Sequence, residues 1–501
     1  MSRLHVACHP ATWGCALLLL WATLAAAIAP GVVAQTPSTA TARTAELHQQ
    51  LAAMLSAPGV SRGTWGIEVR SLTTHDTLFA HNERSLLVPA SIAKLVALAA
   101  TVRAIGWDYV FETPVLATGP VVDGVLMGDL LVVGSGDPSI GGRAGEDFTP
   151  WIAALRAAGI SRISGRIIGN DEAIEEPRPG AMWAWDDLGY TSGSLFGALN
   201  YAENRMLVTV TPGATVGAPV VVTVDPLASD RPLIIRATTV ARDAQALLWP
   251  EQRPAETALT IAGTLQVGAR PVRFYVSTGD PTKWFVGALR RALERGGITV
   301  DGDAVDYDTL ASPPSMETAR TLFTHRSKPL SDVARAMLKD SINVYSEAIL
   351  RMSTGATGGR TNDDALAALK EQLGLWGLDP AGLQVVDGSG LSRRDTLAPD
   401  TLVGVLERMY DPTGASPWMT GLPVAGRDGT LENRFRNTAA EGVLRGKTGT
   451  MSNIRTLAGY VTTKDGEPLA FAIMLNNFEG TGAQAQAAID AIAIRLASFS
   501  R

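Results

Sequence analysis

Ser91 and Lys94 stand three residues apart in the run Val88–Ala100 (VPASIAKLVALAA), where a proline turn leads into an apolar helical stretch. Positions three apart share one face of a helix, so the lysine amine falls beside the serine hydroxyl. A serine is a weak nucleophile until a neighbouring base takes its proton. A lysine serves as that base only when burial or nearby cations lower its pKa. Two more polar sets lie far downstream: Ser341-Ile342-Asn343 between two helical runs, and Lys447-Thr448-Gly449-Thr450 on a strand-like run. With Ser91 attacking an amide carbonyl and Lys94 accepting its proton, Ser341 would relay a proton to the departing amine and Asn343 would hydrogen-bond a substrate amide. Lys447 would supply positive charge, and Thr448 and Thr450 hydroxyl donors, for a terminal carboxylate. The backbone N–H groups of Ser91 and Thr450 would form an oxyanion hole, and Gly449 would let substrate lie close along the strand.

Other short patterns lack the context their chemistry requires. Gly59-Val60-Ser61-Arg62-Gly63 fits a GxSxG elbow, but it precedes a strand instead of leading from one into a helix. Gly442–Thr448 is one residue short of a P-loop, and β-like sequence follows where a helix is needed. His48, His75, His81 and His325 have no ligand-like spacing and are expected on the surface or in turns. No metal and no cofactor are therefore expected. Asp137, inside Gly134-Ser135-Gly136-Asp137-Pro138, reads as an Asx-turn residue.

The elements that must position these residues fall into three stretches. Thr44–Ser56 reads as an amphipathic helix, Gly63–Ser71 and Thr77–His81 as a hairpin, and the Ser91 helix runs to about Ile105. From about Trp107 to Ser315 the chain changes to short β-like runs and turns, with helices only near Thr149–Ala158 and Trp284–Arg295. Helical character returns at Leu330–Leu338, Val344–Met352, Asp363–Leu373 and Pro399–Met409. Strand-like runs near Gly442–Thr450, Thr456–Thr463 and Leu469–Asn476 precede a last helix, Ala483–Ser500. This is an α/β (α+β) arrangement: a five-stranded antiparallel sheet with the first and last helices on one face, interrupted by β-rich inserted sequence. The expected divisions are a leader at 1–34, a first part at 35–108, an inserted region of two domains at 109–315, and a second part at 316–501.

Composition sets the compartment. Arg3, the apolar run Ala16–Ala29 and Val32-Val33-Ala34 before Gln35 read as an export signal, too short for a membrane span. Cys8 and Cys15 both fall inside it, so the exported chain would hold no disulfide. Net charge is −6 and becomes one unit more negative without Arg3, which argues against nucleic acid or an anionic membrane as partner. The alanine-rich last helix has no basic amphipathic face, so no membrane anchor is expected there. Arginines outnumber lysines 36 to 7, so a lysine that completes a motif is more informative than usual.

The ordered set SxxK, SxN, KTG is the series of penicillin-recognising serine enzymes. The chain resembles the D-alanyl-D-alanine carboxypeptidase/endopeptidase family known as class C low-molecular-mass penicillin-binding proteins. The resemblance extends to Gly134–Gly141 (GSGDPSIG), Trp185–Gly189 (WDDLG), Ala198–Tyr201 (ALNY), Asp387–Ser392 (DGSGLS) and Ala425–Thr430 (AGRDGT). It also includes the long spacing between Ser91 and Ser341, where family members carry two inserted domains. Ile342 departs from the aspartate that members often have there. The resemblance implies Ser91 as acylated nucleophile, Lys94 as base, Ser341 and Asn343 as the second motif, and Lys447, Thr448 and Thr450 as substrate clamp. It implies a periplasmic enzyme acting on peptidoglycan peptides ending in D-Ala-D-Ala and acylated by β-lactams. The alternatives are a β-lactamase or esterase on the same scaffold, and a non-catalytic peptidoglycan-binding or penicillin-sensing protein.

Overall fold

The computed structural model describes residues 39–501 apart from 176–178, 226–230, 254–255 and 356–360. The expected leader and both cysteines lie outside the described residues. Helix α1 (Thr39–Met54) leads into the hairpin β1 (Thr64–Ser71) and β2 (Thr77–His81), and then α2 (Ala93–Ile105). After the inserted sequence come α3 (Leu330–Asp340), α4 (Asn343–Arg351), α5 (Asn362–Leu375) and α6 (Pro399–Met409). Strands β3 (Leu444–Met451), β4 (Ile454–Thr462) and β5 (Pro468–Asn476) follow, then α7 (Gly482–Ala497). The strands form the expected five-stranded antiparallel sheet, in the order β2–β1–β5–β4–β3.

Alternation along the strands gives the sheet two buried faces. Ile67, Leu457, Phe471 and Ile473 pack against Leu47 and Leu51 of α1 and Ile489, Ile492 and Leu496 of α7. On the other face Ala458, Ala470, Ala472 and Met474 meet Leu95 and Leu98 of α2 and Leu402 and Val405 of α6. The alanines on this face let the helices approach closely, and each large apolar side chain buried contributes about 1.5–3 kcal/mol. Every residue of α2 from Ala93 to Thr101 is buried, as expected of a helix apolar on all sides. Lys94 has no way out of that environment.

The inserted sequence builds its own core around Val132, Trp151, Ile167, Phe285 and Leu289. Its main sheet runs Ala304–Asp306, Ile167–Asn170, Leu130–Val133, Glu112–Ala117, Arg320–Arg326. The two expected helices are present, and the second starts a turn early at Pro281, because Asp280 caps it through the Lys283 N–H at 3.0 Å. One strand departs from the sequence reading. Arg320–Arg326 was expected with the second part of the chain, but it pairs antiparallel with Glu112–Ala117 of the inserted region. The ladder continues to the sheet-free junction through Ser327 N–Phe111 O at 3.0 Å and Leu330 N–Tyr109 O at 2.8 Å.

Candidate active site

Ser91 lies on a 3₁₀ turn, Ala90–Ile92, that runs directly into α2. Ala90 is held at φ +49°, a left-handed conformation that costs a non-glycine residue about 1–3 kcal/mol and persists only when neighbours impose it. The neighbours are identifiable. Asn476, at the end of β5, accepts from Val88 N at 2.8 Å and donates to Val88 O at 3.1 Å. Thr456 Oγ1 on β4 donates to Pro89 O at 2.8 Å. A Cβ on Gly449 would lie 2.1 Å from Thr456 Oγ1 and 2.8 Å from Pro89 O, and one on Gly390 would lie 2.0 Å from Ala90 O. The space Gly449 leaves is thus filled by the nucleophile's own turn, where the sequence suggested room for substrate.

Lys94 is fully buried, and its Nζ donates to Ser91 Oγ at 2.9 Å, Asn343 Oδ1 at 2.7 Å and Ser389 O at 2.6 Å. Burial presses its pKa down to about 8, against the upward pull of the neighbouring carboxylates, Asp387 first. At pH 7 about a tenth of such amines are neutral and able to accept a proton. Asn343 opens α4, and its Nδ2 donates to Ser192 O at 2.8 Å. Its amide thus makes one bond on each side within the protein, at Oδ1 to Lys94 and at Nδ2 to Ser192 O.

Ser341 ends α3 in a left-handed conformation, φ 60° and ψ 39°, which turns the chain between α3 and α4. Lys447 Nζ, fully buried on β3, donates to Ser341 Oγ and to Thr448 O, both at 2.8 Å. Burial first, and the charge of Lys94 second, hold Lys447 well below the usual lysine range. Thr448 Oγ1 donates to Thr430 Oγ1 at 2.9 Å, while Thr450 is exposed. Pro423 and Ala425 cover the start of the outer edge of β3 through Gly446 N–Pro423 O and Ala425 N–Leu444 O, both 3.0 Å. Among the described residues no strand pairs with that edge from Lys447 onward. Ile342, between the two motif residues, packs against the helical core.

A buried acidic group beneath Lys94 was not assigned from the sequence. Asp387 accepts from Gly390 N at 2.7 Å and Ser392 N at 2.8 Å. Glu347, on α4, accepts from Ser389 N at 2.9 Å, and burial and then Asp387 raise its pKa. Asp395 accepts from Val386 N at 2.7 Å; burial and then Asp387 push it up to about 10, so it is protonated at neutral pH. The DGSG run was noted as a resemblance, but nothing local announces that its carboxylate is buried. The inserted region also reaches this loop. Trp183 Nε1 donates to Asp387 Oδ2 at 2.7 Å, and Ser392 Oγ donates to Ala181 O at 2.6 Å. On the same stretch Asp187 lies near Asp186 and near Arg393, which donates to Asn453 Oδ1 at 3.0 Å.

The remaining sequence candidates stay apart from this centre. Asp137 makes the expected Asx turn, accepting from Ser139 N at 2.8 Å. His325 is neither on the surface nor in a turn: it sits on the strand Arg320–Arg326, tilted against Trp151 at 5.4 Å. Among the described residues one set of carboxylates, Asp171, Asp306 and Asp308 of the inserted region, brings oxygens within 4.8 Å of one another.

A serine bonded to a buried lysine one helical turn on, a second serine on a strand-borne lysine, and helices packed on an antiparallel sheet define a serine hydrolase of the penicillin-recognising class. The chain belongs to the D-Ala-D-Ala carboxypeptidase 3 (S13) family, whose sequence model matches residues 47–498. It is 33% identical over 472 residues to a D-alanyl-D-alanine carboxypeptidase of Actinomadura sp. (strain R39), covering 92% of this chain and 86% of that one. It is 24% identical over 421 residues to the D-alanyl-D-alanine carboxypeptidase DacB of Haemophilus influenzae, covering 82% of this chain and 85% of that one. The crystal structure of penicillin binding protein 4 from Haemophilus influenzae has the same fold, with a TM-score of 0.76 over 90% of this chain and 98% of that chain at 23% identity. A further crystal structure of that protein is complexed with a β-lactam.

Proposed function

We propose that this chain is an exported serine D-alanyl-D-alanine carboxypeptidase that works through a Ser91 acyl-enzyme on peptidoglycan stem peptides. The observation that carries the reading is the Ser91–Lys94 pair, with Lys94 buried, drawn down to about 8 and bonded to the serine hydroxyl at 2.9 Å. Neutral Lys94 takes the Ser91 proton as the oxygen attacks the penultimate D-alanine carbonyl. The Ser91 and Thr450 N–H groups receive the oxyanion, an interaction whose loss typically costs about 10²–10³ in rate. The C–N bond then breaks, the proton passes through Ser341 to the departing D-alanine amine, and water hydrolyses the ester. Lys447 meets the substrate's terminal carboxylate with Thr448 and Thr450. An arriving negative charge favours its protonated form, so the clamp becomes charged when it is needed.

Cross-links ending on diaminopimelate suit the same site, which makes the chain an endopeptidase as well. Both signs of charge in Asp186, Asp187 and Arg393 support a stem peptide whose side chain carries an amine and a carboxylate. The periplasm is the compartment where such peptides are found, and no described helix is long and apolar enough to cross a membrane. The test is intact mass of residues 35–501 during a time course with benzylpenicillin, alongside release of D-alanine from a D-Ala-D-Ala peptide. A persistent single adduct and D-alanine release, both lost in Ser91→Ala, are expected. Rapid turnover of penicillin without D-alanine release would assign a β-lactamase instead. D-alanine release by Ser91→Ala at the wild-type rate would overturn the acyl-enzyme.

A further inference from the structure

The inserted region does not stop at its own core. Its 181–192 segment touches the catalytic centre at three points: Ala181 O takes the Ser392 hydroxyl, Trp183 Nε1 donates to Asp387 Oδ2, and Ser192 O takes the Asn343 amide. Two of these points lead to Lys94 in a single further bond. Asn343 Oδ1 accepts from Lys94 at 2.7 Å, and the Asp387 loop presents the Ser389 carbonyl to it at 2.6 Å. The third, through Ser392, ties down the far end of the same loop. Asp387 is 3% exposed and is held by several donors: the N–H groups of Gly390 and Ser392, the Ser389 hydroxyl at 3.3 Å and the Asp395 acid proton from its own loop, and the Trp183 indole from outside it. Among the described residues the indole is the only side chain from the inserted region in that set. Trp183 and Asp387 also line a cavity of about 550 Å³, so a carboxylate released by the indole has space in which to move.

We infer that Trp183 is a positioning residue for the proton acceptor of the Ser91 reaction: by holding Asp387 it sets the Ser389 carbonyl against Lys94. The inference rests on the Ser91 acyl-enzyme reading and gives the inserted region a part in it. The charged groups that face Lys94 are Asp387 and Asp395 from the loop that precedes α6, Glu347 from α4 and Lys447 from β3. Among these carboxylates Asp387 exerts the strongest upward pull on Lys94, and Asp395, protonated at neutral pH, adds no charge. Without the indole, the Asp387 charge loses a donor and the Ser389 carbonyl loses its fixed place. Both changes weaken the hold on the Lys94 ammonium, so the amine becomes neutral at lower pH but is aimed less well at Ser91.

The test is the pH profile of Ser91 acylation by benzylpenicillin, read by intact mass between pH 5.5 and 9.5, in the wild type, Trp183→Phe, Asp387→Asn and the double variant. Wild-type acylation rises with pH through about 8, where Lys94 loses its proton. Trp183→Phe is expected to move that inflection down by about half a pH unit or more and to lower the plateau about tenfold, a hydrogen bond to a charged group being worth about that factor or more. Asp387→Asn moves the inflection the same way, and in its background Trp183→Phe adds little, because both act through one carboxylate. Should Trp183→Phe unfold the protein, Ser392→Ala cuts another tie to the same loop and is expected to shift the inflection in the same direction. An unchanged inflection in the Trp183 and Ser392 variants overturns the inference, as does a rate loss that simply multiplies with that of Asp387→Asn. A wild-type chain that acquires no adduct at any pH instead overturns the acyl-enzyme reading, and the positioning role with it.

Discussion

Replacing Asp395 by asparagine should make this protein more stable at neutral pH. Asp395 is wholly buried, and burial and the adjoining Asp387 carboxylate push it from an ordinary value near 4 to about 10. At pH 7 the unfolded chain ionises this group while the folded chain must keep its proton. The difference is about three pH units, or roughly 4 kcal/mol at 1.36 kcal/mol per unit, taken from the fold. Because the unfolded state binds fewer protons between about pH 4 and pH 10, the contribution of Asp395 to stability falls as pH rises through that window. An asparagine side chain does not titrate. Its carbonyl oxygen can accept from Val386 N as the carboxyl does at 2.7 Å, and its amide can donate to Asp387 in place of the acid proton. Asp395→Asn should therefore raise the melting temperature at pH 7, by an amount equivalent to at most about 4 kcal/mol. The margin should be small at pH 5 and larger at pH 9. Benzylpenicillin acylation at pH 7 should stay within about twofold, because the charge near Lys94 is unaltered; each 1.4 kcal/mol would have meant tenfold. Parallel melts of the two proteins at pH 5, 7 and 9 decide it. A constant margin, or a variant less stable at all three, would refute the assignment of a buried proton to Asp395.

Gly449→Ala places a methyl against Thr456 Oγ1 and the Pro89 carbonyl. Overpacking of this kind costs about 1–3 kcal/mol, and acylation should fall at least tenfold, read as adduct formation per unit time. Asn476→Ala removes both bonds that pin Val88. We expect about 1–3 kcal/mol lower stability by denaturant titration and slower acylation, since the left-handed Ala90 would relax.

The three motifs of the candidate site were legible because each is a short run of diagnostic side chains at a junction of elements: Ser91 and Lys94 on one helical face, Ser341 and Asn343 across a helix break, Lys447 to Thr450 on a strand. The sheet and its covering helices were legible for a similar reason, since alternation in β3 to β5 and the periodicity of α1 and α7 are local. Glu347, Asp387 and Asp395 were not assigned roles, because carboxylates become informative only when folding buries them. Trp183 and Ser192 were missed for want of any local mark: their partners, Asp387 and Asn343, lie far along the chain. Arg320–Arg326 fell on the far side of the expected boundary at 316 and was not read as a strand, because RTLFTHR alternates too weakly to name a partner. Gly449 was read as leaving room for substrate along the strand, whereas the atoms that crowd it belong to Thr456 and to the turn bearing Ser91.

The strand order has a consequence for how the molecule is assembled. The N-terminal hairpin has its open side filled by β5, with Val69 opposite Phe471, roughly 400 residues later. During synthesis that edge, with Trp65, Ile67 and Val69, stays without a partner while the inserted region and the helices are made. An unpaired apolar strand is open to association with other chains, and pairings so distant in sequence form slowly. The ladder between Glu112–Ala117 and Arg320–Arg326 shortens that search, because once it forms the end of α2 is tied to the start of α3. By that ladder the inserted region takes itself out of the closure between β1 and β5, which then spans only the helices and the strands β3 and β4, with β5 the last strand of the sheet to be made.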